Sequence, residues 1–238
     1  MIEPGRPRFP FLLTLFITAC VVVLCGLGTW QVQRMAWKEG LIDQADAAAA
    51  LPPAPLAEVL TAADPEFRKA LVVCRGLPTA PYVELQSIHD GEPGSRLISA
   101  CTPEGLERSF LVDRGFLADT ISARPRVLAS TLPLSLLVEL RRTPAPNGMA
   151  PAPSAEGRFF TRDAAGMARA LGAGEPSEFT LFALTSPNPE LGALVASAPP
   201  AAFSNNHLGY AITWYGLALA LVGFYGTVLI RRYRKPIP

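Results

Sequence analysis

Two histidines and four cysteines are the residues of this 238-residue chain most suited to metal or redox chemistry. His207 stands in Ser204-Asn205-Asn206-His207-Leu208, where a polar run meets a long apolar one. An imidazole at such a boundary costs little to place. It has two readings, a structural or interfacial histidine and an axial ligand for haem iron. His89 lies in the polar turn Ser87-Ile88-His89-Asp90-Gly91, where solvation is the ordinary outcome. A zinc site of common type needs about four ligands, and no His/Cys cluster supplies them. Cys20 and Cys25 are five apart in an apolar helix, off one face, and read as small buried residues. Cys74 and Cys101 lie between the two apolar stretches. A disulfide there requires neighbouring strands, which the sequence leaves open. The chain has no C-x-x-C, no C-x-x-C-H, no G-x-S-x-G and no H-E-x-x-H. Thioredoxin-like, covalent-haem, serine-hydrolase and zincin chemistry therefore find no support. No catalytic constellation stands out, and an enzyme is not expected.

Composition says what must carry these residues. Half the chain is apolar and only 17% is charged, against about a quarter charged in ordinary soluble domains. A net charge of +1 leaves no nucleic-acid footprint, and the apolar content excludes disorder. Two stretches lack charge: Phe9 to Gln33, and a second that is densely apolar from Leu208 to Ile230. Roughly 20 helical residues cross a bilayer core, so both qualify. A cleaved signal peptide has an apolar core of about 7–15 residues. The run from Phe11 to Trp30 is longer and no small-x-small site follows it, so a retained helix is expected. The partition is a tail at 1–10, a transmembrane helix at 11–32, an outer domain at 33–206, a second transmembrane helix at 207–230 and a basic tail at 231–238.

Orientation follows from the positive-inside rule. Of the 21 Lys and Arg, Arg6 and Arg8 lie before the first helix, and Arg231, Arg232, Arg234 and Lys235 after the second. The remaining 15 face 19 Asp and Glu in 34–206. Both termini are therefore expected in the cytoplasm and the central domain outside it. No Arg- and Ser-rich transit peptide precedes the first helix, which favours a bacterial inner-membrane protein with a periplasmic domain.

Membrane helices associate through small residues. In the second helix Gly209, Thr213, Gly216, Ala220, Gly223 and Thr227 recur at 4-3-4-3-4 spacing and hence share one face. In the first, Thr18, Val22, Cys25 and Thr29 recur at 4-3-4, with Gly26 beside them. These two faces are expected to meet. His207, Trp214, Ala218 and Tyr225 then fall on the opposite face, with Tyr210 at its flank, and His207 points away from the seam. Trp214 and Tyr210 read equally well as interface anchors.

The central region is Pro-rich. Pro52, Pro53 and Pro55 form one cluster and Pro144, Pro146, Pro151 and Pro153 another, around Asn147-Gly148; both read as loops. A helix starting near Met35 runs through Ala45–Ala50. Strands are expected at Ala70–Arg75, Tyr82–Gln86, Arg96–Cys101, Ser109–Phe116, Leu134–Arg142, Gly157–Thr161 and Phe179–Thr185. Leu134, Leu136, Val138 and Leu140 share one face, the period of a half-buried strand. A short helix at Asp163–Leu171 has an acidic N-cap and Gly172 as its stop. The fold class is a membrane protein in which two transmembrane helices flank a mostly antiparallel, barrel-like α+β domain.

Three motifs carry a family resemblance. Leu27-Gly28-Thr29-Trp30-Gln31-Val32-Gln33-Arg34-Met35-Ala36-Trp37-Lys38 resembles the opening of the Surfeit-locus-one (Shy-one) family. Leu111-Val112-Asp113-Arg114-Gly115-Phe116 resembles that family's "V-N-R-G-W" strand. Asn205-Asn206-His207-Leu208-Gly209-Tyr210-Ala211-Ile212-Thr213-Trp214-Tyr215-Gly216-Leu217-Ala218 resembles its closing signature. Asp113 and Phe116 depart from the usual Asn and Trp, and Phe159-Phe160-Thr161-Arg162-Asp163 stands where a Trp-Tyr-x-x-Asp segment is expected.

The resemblance implies an assembly factor for haem-copper cytochrome c oxidase. Such a factor would bind haem a transiently and help insert it into the catalytic subunit. It implies His207 as the haem-iron contact, with Trp214 and Tyr210 as cofactor-binding neighbours; since Asn favours helix starts, Asn205 and Asn206 are expected to cap or orient the site. A face turned away from the helix pair would leave the haem open to its acceptor. Arg114 reads either as a propionate partner or as a strand-end salt bridge with a fold role. The catalytic subunit is the expected partner, with the haem a synthesis machinery and a second copy of the chain as further candidates and no nucleic acid. The competing reading is a membrane scaffold for the nascent subunit that never touches haem.

Overall fold

The computed structural model describes residues 9–145, 151–198 and 206–234. Its elements are α1 (Phe11–Ala50), β1 (Ala54–Pro55), α2 (Leu56–Val59), β2 (Lys69–Arg75), β3 (Val83–His89), β4 (Glu92–Cys101), β5 (Ser109–Ala118), β6 (Pro133–Arg142), α3 (Ala164–Ala170), β7 (Pro176–Ala183) and α4 (His207–Tyr233). The chain divides into two compact units, one of Met1–Asp43 with Ala202–Pro238, the other of Gln44–Ala201.

The first unit is a pair of helices. Both α1 and α4 are long and apolar enough to cross a membrane. α1 is one uninterrupted helix of 40 residues. The expected break between a membrane helix ending at 32 and a second helix near Met35 is absent. The joining residues Gln31-Val32-Gln33-Arg34-Met35 include neither Pro nor Gly and are mostly straight-chain helix formers.

α4 meets α1 on the face opposite to the one expected, and on α1 the meeting face is turned from the expected one, with only Thr29 and the half-buried Cys25 of the expected positions beside it. Gly209, Thr213, Gly216, Ala220, Gly223 and Thr227 are all exposed on α4, and so are Thr18, Val22 and Gly26 on α1. The buried face of α4 instead runs through His207, Ala211, Trp214, Ala218 and Tyr225, with Ala211 and Ala218 nearly inaccessible. On α1 it runs through Thr14, Ile17, Val21, Leu24, Gly28 and Gln31, spaced alternately three and four. Two physical causes select this seam. Gly28 admits the Tyr215 ring, since a Cβ there would lie 2.8 Å from it. The polar side chains also find partners on the seam: Thr29 Oγ1 is hydrogen-bonded to the Tyr215 hydroxyl at 3.0 Å, and Thr14 Oγ1 to that of Tyr225. In hydrocarbon such pairs count alongside close backbone approach. Small-residue spacing alone does not register them.

The second unit is built on a seven-stranded sheet of order β1-β2-β6-β7-β5-β4-β3. Four of its pairings are antiparallel, while β1–β2 and β5–β7 are parallel. Leu136, Val138 and Leu140 of β6 face inward as their alternation demands. They join Val72, Phe110, Val112 and Leu181 in the main core. β5 is buried along nearly its whole length, as befits a strand covered on both faces. α3 has the expected ends: the Asp163 carboxylate accepts from the Gly166 amide at 3.0 Å, and Gly172 adopts φ 66° beyond its last turn.

Several strand expectations change. Pro55 belongs to β1, a two-residue edge strand, where a missing N–H is tolerated. The strand expected at Gly157–Thr161 reduces to a single bridge between Leu85 and Phe159. β3 and β4 extend to meet at a two-residue Asp90-Gly91 turn, both residues having positive φ, the geometry of a tight hairpin. His89 thus ends a strand, its ring 5.2 Å from that of Phe116. Of the second proline cluster, Pro146 and Asn147-Gly148 lie outside the described residues.

Candidate functional site

His207 is the first residue of α4. Its Nδ1 lies 2.6 Å from Oε1 of Gln31 on α1, and the Gln31 side chain is itself buried. His207 is half-buried between the two helices. The expectation that its ring is displayed on a face turned away from the helix pair is therefore overturned, because that face is the one that packs. Among the described residues, Nε2 of His207 has no hydrogen-bond partner. Asn206 precedes the helix but makes no side-chain cap, so the capping expected of it is absent, and Asn205 lies outside the described residues.

The other two expected site residues follow on α4. Trp214, two turns on, shares the His207 face, half-buried, with its indole N–H enclosed and unpartnered. About 10 Å of helix separates the two. Tyr210 is 58% exposed at the flank. The helix pair thus gathers an imidazole nitrogen without a hydrogen-bond partner among the described residues, an enclosed unpaired indole donor and an exposed phenol along one helix end. An unpaired imidazole nitrogen can ligate a metal, while the aromatic rings offer an apolar surface. One turn past Gln31, the Arg34 guanidinium stacks 3.8 Å from the Trp37 ring centroid. Gln31 is the neighbour of His207 that spacing did not single out. Its signal is an amide placed inside an apolar run, where it must find a partner.

In the sheet, Asp113-Arg114-Gly115 of β5 place two fully buried charges on opposite faces. Asp113 Oδ2 receives Nε of Arg96 at 2.7 Å and Nη2 of Arg162 at 2.9 Å, and Oδ1 receives the Gly115 amide at 3.2 Å. Both guanidiniums also lie over the Phe182 ring. The resemblance leads one to expect Asn at this position; the carboxylate instead supplies charge for two arginines. Arg114 donates to the carbonyls of Pro78 at 2.7 Å and Ala80 at 3.3 Å, to Ser99 Oγ at 3.3 Å and to Asn188 Oδ1. Burial pushes its guanidinium down to about 10, against the pull of Tyr82 and Glu190. It stays charged at neutral pH. With no exposed surface it has the fold role, tying β5 to the turn after β2, and neither the propionate role nor a strand-end salt bridge.

Gly115 is required in this strand. Its φ is 133°, and a Cβ would lie 2.5 Å from the Val195 carbonyl oxygen. That gap lets Phe116 exchange hydrogen bonds of 2.9 and 2.8 Å with Val195. Near the strand edge, Glu84 pairs with Arg124 at 2.7 Å. Burial would raise its carboxyl, but the bond and charge of Arg124 hold it below the usual carboxylate range.

Cys74 and Cys101 form a disulfide, with Cα atoms 5.9 Å apart. Their strands are not neighbours in the pairing order, because β6, β7 and β5 intervene between β2 and β4. The sheet curls until the end of β4 meets β2, and the Glu104 amide then donates to the Val73 carbonyl at 3.0 Å. Cys20 and Cys25 are free and half-buried on α1. No cluster of three or more His, Cys, Asp or Glu forms a metal site among the described residues.

Comparison with known proteins gives one consistent answer. Human Surfeit locus protein 1 is 29% identical over 223 residues, covering 84% of this chain and 71% of the human protein. The mouse protein of the same name is 27% identical, covering 87% and 72%. A Drosophila melanogaster SURF1-like protein is 27% identical, covering 87% and 74%. Residues 18–219, a span that takes in α1 from its third turn, the whole sheet unit and half of α4, match the SURF1 family, and the chain belongs to that family.

Proposed function

We propose that this protein is an assembly factor for a haem-copper cytochrome c oxidase, and that it binds haem a at His207 and helps pass it to the catalytic subunit. The observation that carries the reading is the state of His207. One ring nitrogen is fixed by Gln31, and the other has no partner among the described residues. That is the arrangement of a poised imidazole ligand. The half-buried Trp214 ring and the exposed Tyr210 give the macrocycle apolar and polar neighbours along the same helix end. Here haem is cargo, so one strong axial contact with weak neighbours favours release.

The setting is a bacterial inner membrane with both termini in the cytoplasm and the sheet unit in the periplasm. The basic residues after α4 support this orientation. The Cys74–Cys101 disulfide supports it independently, since such bonds persist in oxidising compartments. In this setting His207 enters the bilayer from the periplasmic side.

The test is genetic. In cells whose oxidase maturation depends on this protein, His207→Ala should leave its level in the membrane unchanged while lowering the haem a content of the oxidase at least several-fold. Full haem loading in that strain, with normal oxidase activity, would return the protein to a haem-free scaffold.

A further inference from the structure

We infer that Gln31 is a positioning residue that fixes the tautomer of His207 and so selects the nitrogen offered to a ligand. The inference rests on the haem reading of His207 for its purpose, but not for its geometry. A neutral imidazole has one N–H and one lone pair. The Gln31 carbonyl oxygen only accepts, and it faces Nδ1 at 2.6 Å. The proton therefore sits on Nδ1 and the lone pair on Nε2. Gln31 is only 9% exposed, so solvent is poorly placed to substitute for that acceptor. The two partners are 176 residues apart and on different helices. His207 therefore becomes a correctly oriented ligand only when α1 and α4 are paired, which joins assembly of the helix pair to assembly of the site. An acceptor on the remote nitrogen also raises the basicity of the ligating one.

The experiment uses the full chain in lipid nanodiscs with 15N-labelled histidine, resonances being assigned to His207 by their loss in His207→Ala. Without haem, the wild type should show a protonated Nδ1 and an unprotonated Nε2. Gln31→Leu should give a mixture of tautomers. Gln31→Glu retains an acceptor and should keep the proton on Nδ1. Titrated with haem a, Gln31→Leu should bind about 10–100-fold more weakly. Gln31→Glu should bind with near wild-type affinity and a lower iron reduction potential. The Tyr215 ring resonances, set by its contact with Gly28, report whether the helices remain paired in each variant. A proton on Nε2 in the wild type would overturn the inference, as would Gln31→Leu with unchanged tautomer and affinity. If instead the tautomers behave as inferred but His207→Ala binds haem a as the wild type does, the role of Gln31 in setting the tautomer stands and the haem reading fails.

Discussion

At the scale of single residues, the structure is governed by polar groups that must find partners away from water. Asp113 is fully buried and is the carboxylate partner of both Arg96 and Arg162. Removing one member of a buried ion pair typically costs about 3–5 kcal/mol, because the others are left uncompensated. Asp113→Ala should therefore destabilise the sheet unit by about that amount, lowering the thermal midpoint of the detergent-solubilised chain by roughly 10 °C. Asp113→Asn, which keeps the bond from the Gly115 amide, should cost less. Equal melting of wild type and Asp113→Ala would contradict this role. The sequence marks Asp113-Arg114-Gly115 as part of a strand, but it does not say that both charges are buried. The partners of Asp113 come from 17 and 49 residues away, and Gln31 meets His207 across 176. Periodicity reports local faces, not which distant side chain will arrive there.

Among the elements, the helix pair is where physical reasoning from spacing goes furthest and then turns. The placement of His207, Trp214, Ala218 and Tyr225 on one face of α4 is legible from the 3.6-residue period. Which face packs is not, because that depends on groups of the other helix. Two glycines differ sharply in their surroundings. A side chain at Gly28 would run into the Tyr215 ring, whereas nothing lies within 4 Å of a Cβ at Gly216. Gly28→Leu should thus destabilise the helix pair by about 1–3 kcal/mol through overpacking, while Gly216→Leu should be near neutral. Thermal melts of the two variants in the same detergent decide it, and the reverse order would restore the small-residue seam. In the sheet, α3 and the inward face of β6 are legible because caps and alternation are local. The parallel β1 and β5–β7 pairings and the shrinking of Gly157–Thr161 to one bridge are not, because each is settled by the neighbour a strand meets. The disulfide shows the same limit, since only the curl of the sheet brings β2 and β4 together.

For the whole molecule, a pair of membrane-capable helices and a sheet unit tied by one disulfide belong to a chain of the SURF1 family. The two-helix architecture is legible in hydropathy, and so is the placement of His207 and Trp214 on one face of α4, but not the Gln31 that meets His207. In the function proposed here, His207 takes up haem a at the helix end. The measurement that tests it most directly is a pyridine haemochrome assay on wild type and His207→Ala, purified side by side from membranes that make haem a. Haem a near one per chain in the wild type, and strongly depleted in a variant that is otherwise folded, is the predicted result. Equal haem a in both proteins, or none in either, would contradict the claim.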